Sequence, residues 1–328
     1  MSLSFLHQRL VRGVKGATGT LSEPSGTPDP FYTLASTVNW MHSLAILVKE
    51  TKIERESMRD FYGQVKRWNP RDDVVNTVFE QLLMGLHYLS ALRAMAGVNG
   101  NHDLSRVAII AWYYGVYCSA SAMIAANNGS QQEAHAGTAS QWDSEIAARS
   151  LIPKPFSYRL SSMVLEVADS EIRSIRSSSG ELKRQPESAD DAVGECASYL
   201  KGTREFEEKK IKEQLLSKEF KKAGLSNFRS TKAREIRDAR LQGRGVGFLH
   251  QASRYRGKAN YRDALFLTYQ VGSMIDGFIE NAADVLTAFL VAAGAFCARR
   301  VSEDDWGTFL DDLNQNLKLV VSPSKLWL

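Results

Sequence analysis

The chain reads as an all-α protein, and three observations lead there. Apolar residues recur at the three-to-four-residue spacing of a helix along most of its 328 residues. Alternating apolar and polar runs bounded by turn residues, the mark of a strand, are scarce. Two stretches, 107–126 and 264–298, are apolar on nearly every side, as helices packed together at the centre of a bundle are. With 44% apolar and 24% charged residues the composition is that of a globular protein, and its length suits one large domain or two ordinary ones.

Residues 1–30 are rich in Gly, Ser, Thr and Pro and read as a flexible tail closed by Pro28 and Pro30. Leu34, Val38, Met41, Ala45 and Val48 then keep helical spacing over 31–48. A second, more polar helix is expected over 53–68, ended by Asn69-Pro70, because the residue before a proline is pushed out of helical geometry. Asp72 or Asp73 supplies a cap for a third over 74–95, which carries Val75, Val78, Phe79, Leu82, Leu83, Leu86 and Leu89 on one side. After a turn at Gly97–Gly100, Asp103 is placed to cap the apolar helix 104–126, and Asn127-Asn128-Gly129 stops it.

Residues 131–148 read as a loop leading into a short helix. Pro153 and Pro155 break the pattern, which resumes over 158–175. The stretch 177–190, SSSGELKRQPESAD, has the composition of a flexible linker and marks an insertion boundary. A charged helix over 192–225, a basic helix over 231–241, a long apolar helix over 260–300 with a kink near Gly272 or Gly277, and an amphipathic piece over 306–317 complete the chain. The expected organisation is a tail over 1–30 and one all-α domain over 31–328, a helical bundle with an inserted charged helical region around 177–230.

Several function classes fall away. Cys118, Cys196 and Cys297 are odd in number, far apart and in no metal-binding spacing, which reads as reduced thiols in a cytoplasmic protein. The opening MSLSFLHQRLVRGVKG lacks the apolar core of a secretory signal. The run 285–298 is shorter than the ~20 residues of a membrane-spanning helix and follows Glu280 and Asp284, so a buried helix and no membrane partner are expected. There is no Walker loop, dinucleotide fingerprint, HExxH or GxSxG. The six histidines (His7, His42, His87, His102, His135, His250) do not fall at ligand spacing, so no metal and no cofactor is expected.

The formal charge of +4 conceals a segregation. Between Lys201 and Arg262 stand 18 Lys and Arg against 7 Asp and Glu, a net +11, which leaves −7 for the rest. Such a footprint suits a polyanionic partner. Over 201–222 a solvated, salt-bridged helix is the better account of the charge, since Glu205 and Lys209, and Glu208 and Lys212, stand four apart. Over 229–263, RSTKAREIRDARLQGRGVGFLHQASRYRGKANYRD, ten cations meet few acids. Arg229, Lys232, Arg234, Arg237, Arg240, Arg254, Arg256, Lys258 and Arg262 are therefore candidates for phosphate contact.

Two segments together resemble the HEPN superfamily of all-α domains, which includes bacterial toxin and antiviral ribonucleases and non-catalytic partners. The first, 107–137, reads VAIIAWYYGVYCSASAMIAANNGSQQEAHAG: an aromatic pair, small residues, a short loop and a His-small-Gly element at His135-Ala136-Gly137. The second, 255–267, reads YRGKANYRDALFL and is similar to the Arg-x-Lys-Ala-Asp-Tyr element opening the last long helix of many HEPN domains. Arg256, Lys258, Ala259 and Tyr261 match, and Asn260 stands in place of Asp. The gap between the two patches, wider than in a minimal HEPN domain, implies an insertion within 140–240.

In the ribonuclease members, an Arg is followed by His after four to six residues; here Arg244 and His250 have five between them. For metal-free RNA cleavage a histidine can move the 2′-hydroxyl proton near neutral pH, while an arginine holds the phosphate and offsets its developing charge. Asn260, Tyr261 and Arg256 would position that pair. The resemblance also implies RNA as partner, a homodimer about a two-fold axis, and a cognate antitoxin or sensor protein. Three readings stay open: a metal-independent ribonuclease, a non-catalytic module that binds nucleic acid or a nucleotide through 229–262 and recruits a partner protein, and a protein whose basic face meets an acidic protein.

Overall fold

The structure, a computed structural model, describes residues 30–98, 100–131, 134–176, 178, 180–261 and 275–327. They are predominantly helical: α1 (Pro30–Glu50), α2 (Arg55–Phe61), α3 (Asp72–Ala96), α4 (Ser105–Asn128), α5 (His135–Trp142), α6 (Leu165–Ile175), α7 (Ala189–Gln214), α8 (Phe220–Ala223), α9 (Thr231–Gln242), α10 (Phe248–Tyr261), α11 (Phe278–Arg300), α12 (Glu303–Asn316) and α13 (Pro323–Trp327). No strand occurs among the described residues; the extended pairing they contain is an isolated antiparallel bridge between Leu160 and Val246.

The apolar helices α4 and α11 pack against each other and against α3, with α1 on α11 and α10 on α4. Both are long and apolar enough to cross a membrane, yet most of each is buried in the protein's own core. Small residues allow the close approach. A Cβ on Gly115 would overlap the Leu286 side chain, and one on Gly85 would stand 2.9 Å from both Leu290 and Ser119. Gly129, with φ +74°, ends α4 in the left-handed conformation that glycine adopts without cost.

A second, smaller core lies beside the first. Leu160, Met163, Ile172, Leu200, Ile211, Leu215, Phe220, Ala233, Leu241 and Val246 bury one another between α6, α7, α8 and α9. Its neck is closed by Leu160 and Val246, each of which donates its N–H to the other's carbonyl, at 2.8 and 3.0 Å. Helix α7 spans both cores: Cys196 and Tyr199 face the larger one, Ala197 and Leu200 the smaller. The smaller core thus draws on residues from the bridge at 160 to its return at 246, while Leu182, Ala192, Cys196 and Tyr199 within that span belong to the larger one.

Several elements differ from their sequence expectation. Helix α2 is half the predicted length, because Arg67 and Trp68 leave it to bond the chain at the end of α11: Arg67 Nη1 donates to the Ala298 and Val301 carbonyls at 2.9 and 2.5 Å, and Trp68 N–H to Arg300 O at 3.3 Å. The Asp72 and Asp73 carboxylates lie in the first turn of α3 rather than capping it, where they face the positive end of the helix dipole. Leu104, not Asp103, precedes the first residue of α4. The pattern over 158–175 becomes helical only at Leu165, since the residues before it pair with Val246 and Leu241. The expected helix 260–300 divides. Residues up to Tyr261 belong to α10, Gly277 at φ +71° precedes α11, and 262–274, with the kink expected at Gly272, lie outside the described residues, as does the tail before Pro30.

The flexible linker expected over 177–190 is corrected by the residues described there. Leu182 is 5% exposed in the larger core, and Asn39 Nδ2 donates to the Leu182 and Arg184 carbonyls at 3.0 and 2.8 Å. Gly180 crosses α7 so closely that a Cβ would collide with the Asp191 carbonyl and one on Gly194 with Gly180. Small residues that mimic a linker in composition serve close packing here.

Candidate nucleic-acid interface

The neck is built on an ion pair. Arg159 donates from Nε to Asp143 Oδ1 at 3.1 Å and from Nη2 to Oδ2 at 2.8 Å, and Asp143 is only 4% exposed. The loop Gly243–Gly247 lies over that carboxylate; a Cβ on Gly245 or Gly247 would collide with one of its oxygens. Only glycine lets the backbone pass so near. Phe248 then enters the larger core against Phe156 and Phe289, which fixes the start of α10.

Arg244 and His250 flank this loop end. Arg244 is exposed on the loop, and its guanidinium makes no hydrogen bond or ion pair among the described residues. His250 stands half-buried in the first turn of α10, its Nδ1 accepting from the Gly247 N–H at 3.2 Å. Burial pushes its pKa below the ordinary histidine value, against the pull of Asp143 and Glu207; Lys210 and Arg159 push the same way as burial. The imidazole is therefore neutral at neutral pH, and the Gly247 bond assigns its proton to Nε2. In that state His250 can donate a hydrogen bond from Nε2, but it accepts a proton at Nδ1 only after releasing Gly247.

The other candidate residues fall into two groups. Arg229, Lys232, Arg234 and Arg240 are exposed on α9 and just before it, and among the described residues none of their side chains is paired with a carboxylate. Ser230 caps this helix through the Ala233 N–H at 3.2 Å, and Ala233 and Leu241 seat it on the smaller core, leaving the cations outside. Arg237 differs: it is partly buried and bonds Asp238 at 2.7 Å. On α7 and α8, and between them, Lys209, Lys218, Lys221 and Lys222 add exposed cations, whereas Lys210 and Lys212 are held by Glu207 and Glu208. The expected Glu208–Lys212 pair forms at 2.6 Å; Glu205 and Lys209 make no bridge among the described residues.

The second group turns inward. The Arg254 guanidinium lies over the Tyr199 ring at 5.2 Å and donates to Thr203 Oγ1 at 3.2 Å. Arg256 lies over Tyr113 at 4.8 Å and donates to the Tyr114 hydroxyl at 3.4 Å. These cations are engaged by the protein's own aromatic rings. Lys258 and Asn260 are half-buried on the same helix. The side chain of Tyr261 and all of Arg262 lie outside the described residues.

Arg256 belongs to a cluster not singled out from the sequence, which joins the two segments of the family resemblance. The Tyr113 hydroxyl stands 2.9 Å from His135 Nδ1, and the Tyr117 ring meets His135 edge-on at 4.6 Å. Burial and the Arg256 charge lower the His135 pKa, and burial pushes Tyr113 up to about 12. No spacing rule links residues 113, 135 and 256; the sequence signals were the aromatic content of α4 and the two segments of the resemblance, which carry His135 and Arg256 separately. Among the described residues no three His, Cys, Asp or Glu side chains converge as a metal site would require. Compared with known protein families, curated proteins and solved structures, the chain matches none.

Proposed function

We propose that this protein binds nucleic acid, RNA in the first place, through the outer face of the lobe closed by Leu160 and Val246. The observation that carries the reading is the row Arg229, Lys232, Arg234, Arg240 and Arg244: all exposed, and none engaged by a carboxylate among the described residues. Cations without internal partners keep their full attraction for phosphate, and neutralising phosphates releases counterions. The partly buried Arg237, bonded to Asp238, contributes less. RNA is preferred because of the resemblance to HEPN domains, whose members also supply the expectations of a homodimer and of a cognate antitoxin or sensor protein. The chain is then a binding module, with Arg244 as a phosphate contact and His250 as the residue that fixes the loop behind it.

The test is the affinity for a single-stranded RNA and for a DNA duplex, measured by fluorescence anisotropy over a range of salt. Reversing Arg229, Lys232, Arg234 and Arg240 to Glu is expected to weaken RNA binding about a hundredfold or more. The salt slope should fall by roughly one for each phosphate that the variant no longer neutralises. Unchanged affinity overturns the proposal. The same preparation decides the ribonuclease reading: RNA cleavage that persists in EDTA and disappears in His250→Ala would make the module an enzyme.

A further inference from the structure

A groove of about 440 Å³, which shares no lining residue with the basic lobe, opens between α2, the end of α11, α12 and α13. Its floor is apolar: Ala295, Leu310, Leu326 and the Trp327 and Trp306 rings, the last two 5.8 Å apart. Its rim carries four arginines, Arg55, Arg59, Arg67 and Arg299, against two carboxylates, Glu56 and Glu303. Each carboxylate already has a partner, Glu56 in Arg55 at 3.0 Å and Glu303 in Arg67 at 2.6 Å. Two guanidinium groups remain without a carboxylate among the described residues, Arg59 and Arg299. Arg299 uses Nη2 on the Gly63 carbonyl at 2.8 Å, while its Nε is buried with no partner. A buried donor left unmade is costly, and groups of this kind call for an explanation.

We propose that this groove is a binding site for a small organic anion, its apolar, flat body lying on Leu310, Leu326 and Trp327 and its anionic head at Arg299 and Arg59. The volume falls in the range of small-molecule sites, which combine apolar walls with a few polar groups that fix orientation. Two carboxylates neutralised within the rim leave a local excess of two positive charges, so a neutral ligand would leave both guanidinium groups unanswered. An anion would answer the charge that both guanidinium groups carry at the rim. The proposal does not depend on the nucleic-acid reading, since the two sites share no residue.

The test uses anilinonaphthalene sulfonate as the anionic probe and phenylnaphthylamine as its uncharged counterpart, both read by fluorescence. Gly307 lies on α12 in the groove lining, and a Cβ there would meet no atom within 4 Å. Gly307→Phe therefore fills the groove without disturbing a hydrogen bond. Wild-type protein is expected to bind the sulfonate saturably at one site, and Gly307→Phe to weaken it about tenfold or more, or 1.4 kcal/mol. Arg59→Gln with Arg299→Gln should weaken the sulfonate by a similar factor and leave the uncharged probe within about twofold. Should that pair fail to fold, Gly307→Phe carries the test alone. Absence of saturable binding, sulfonate affinity unchanged by Gly307→Phe, or equal loss of both probes in the arginine variant would overturn the proposal.

Discussion

His250 Nδ1 accepts a hydrogen bond from the backbone N–H of Gly247, the residue immediately before α10. This is the reach-back of a capping box, with histidine in the place usually taken by Glu or Gln at the third helical position. The bond anchors the turn that sets Gly245 and Gly247 on the Asp143 carboxylate. His250→Ala should therefore cost about 1 kcal/mol of stability through loss of the cap. His250→Gln, which can still accept from Gly247, should recover most of it. Chemical denaturation of the three proteins reads the difference; equal stability in all three would remove the capping role.

The two glycines of the neck should be intolerant of a methyl group, and an open glycine on the following helix tolerant. Gly247→Ala and Gly245→Ala force a Cβ onto Asp143, a buried ion-pair partner, and should each destabilise by about 2 kcal/mol or more. Gly257 lies inside α10 with nothing within 4 Å of a Cβ, so Gly257→Ala should stabilise by about 0.5–1 kcal/mol. Thermal melts that rank these variants in the opposite order would contradict the close approach at the neck.

Glu195 supplies a pH dependence. It is 1% exposed, and burial pushes its pKa up from 4.5 to about 8 despite the hydrogen bond with Ser43. Ser43 Oγ stands 2.8 Å from the Asn39 carbonyl and 2.6 Å from Glu195 Oε2. It has one hydrogen, so a neutral Glu195 donating to Ser43 satisfies both contacts. The folded chain thus holds a proton that the unfolded chain releases. The stability this contributes is complete below pH 4.5 and is lost as pH rises to about 8, at up to about 1.4 kcal/mol per pH unit. Glu195→Gln should lose this slope and gain on the wild type from pH 5 to 8; parallel stability profiles would refute the buried acid.

The segment crossing α7 should resist proteolysis. Asn39→Ala removes both bonds to the Leu182 and Arg184 carbonyls, and Leu182→Ala empties a buried site. The first should cost about 1–3 kcal/mol and the second about 2–4 kcal/mol, with cleavage between 180 and 190 accelerated in both. Cleavage there in the wild type ahead of every other site would restore the linker reading.

The helical class and the central pair α4 and α11 were legible in the sequence, because both rest on local patterning. Periodic apolar residues make a helix amphipathic whatever it packs on, and a helix apolar all round has nowhere to lie except the middle. Gly129 as a stop was legible for the same reason, as it acts within one turn.

Tertiary structure alone decided the rest. Whether a cation is available depends on its neighbours in space: Arg234 and Arg237 look alike in sequence, yet only the second bonds an acid, and Arg254 and Arg256 lie over tyrosines from other helices. The Asp143–Arg159 pair, the Tyr113–His135–Arg256 cluster and the arginine-rimmed groove join residues from separate elements, which no local spacing encodes. Gly180 had the composition of a linker, and only its crossing against Gly194 of α7 revealed it as a packing residue. Local sequence sets which conformation a segment prefers, while long-range contact sets what its side chains are free to do.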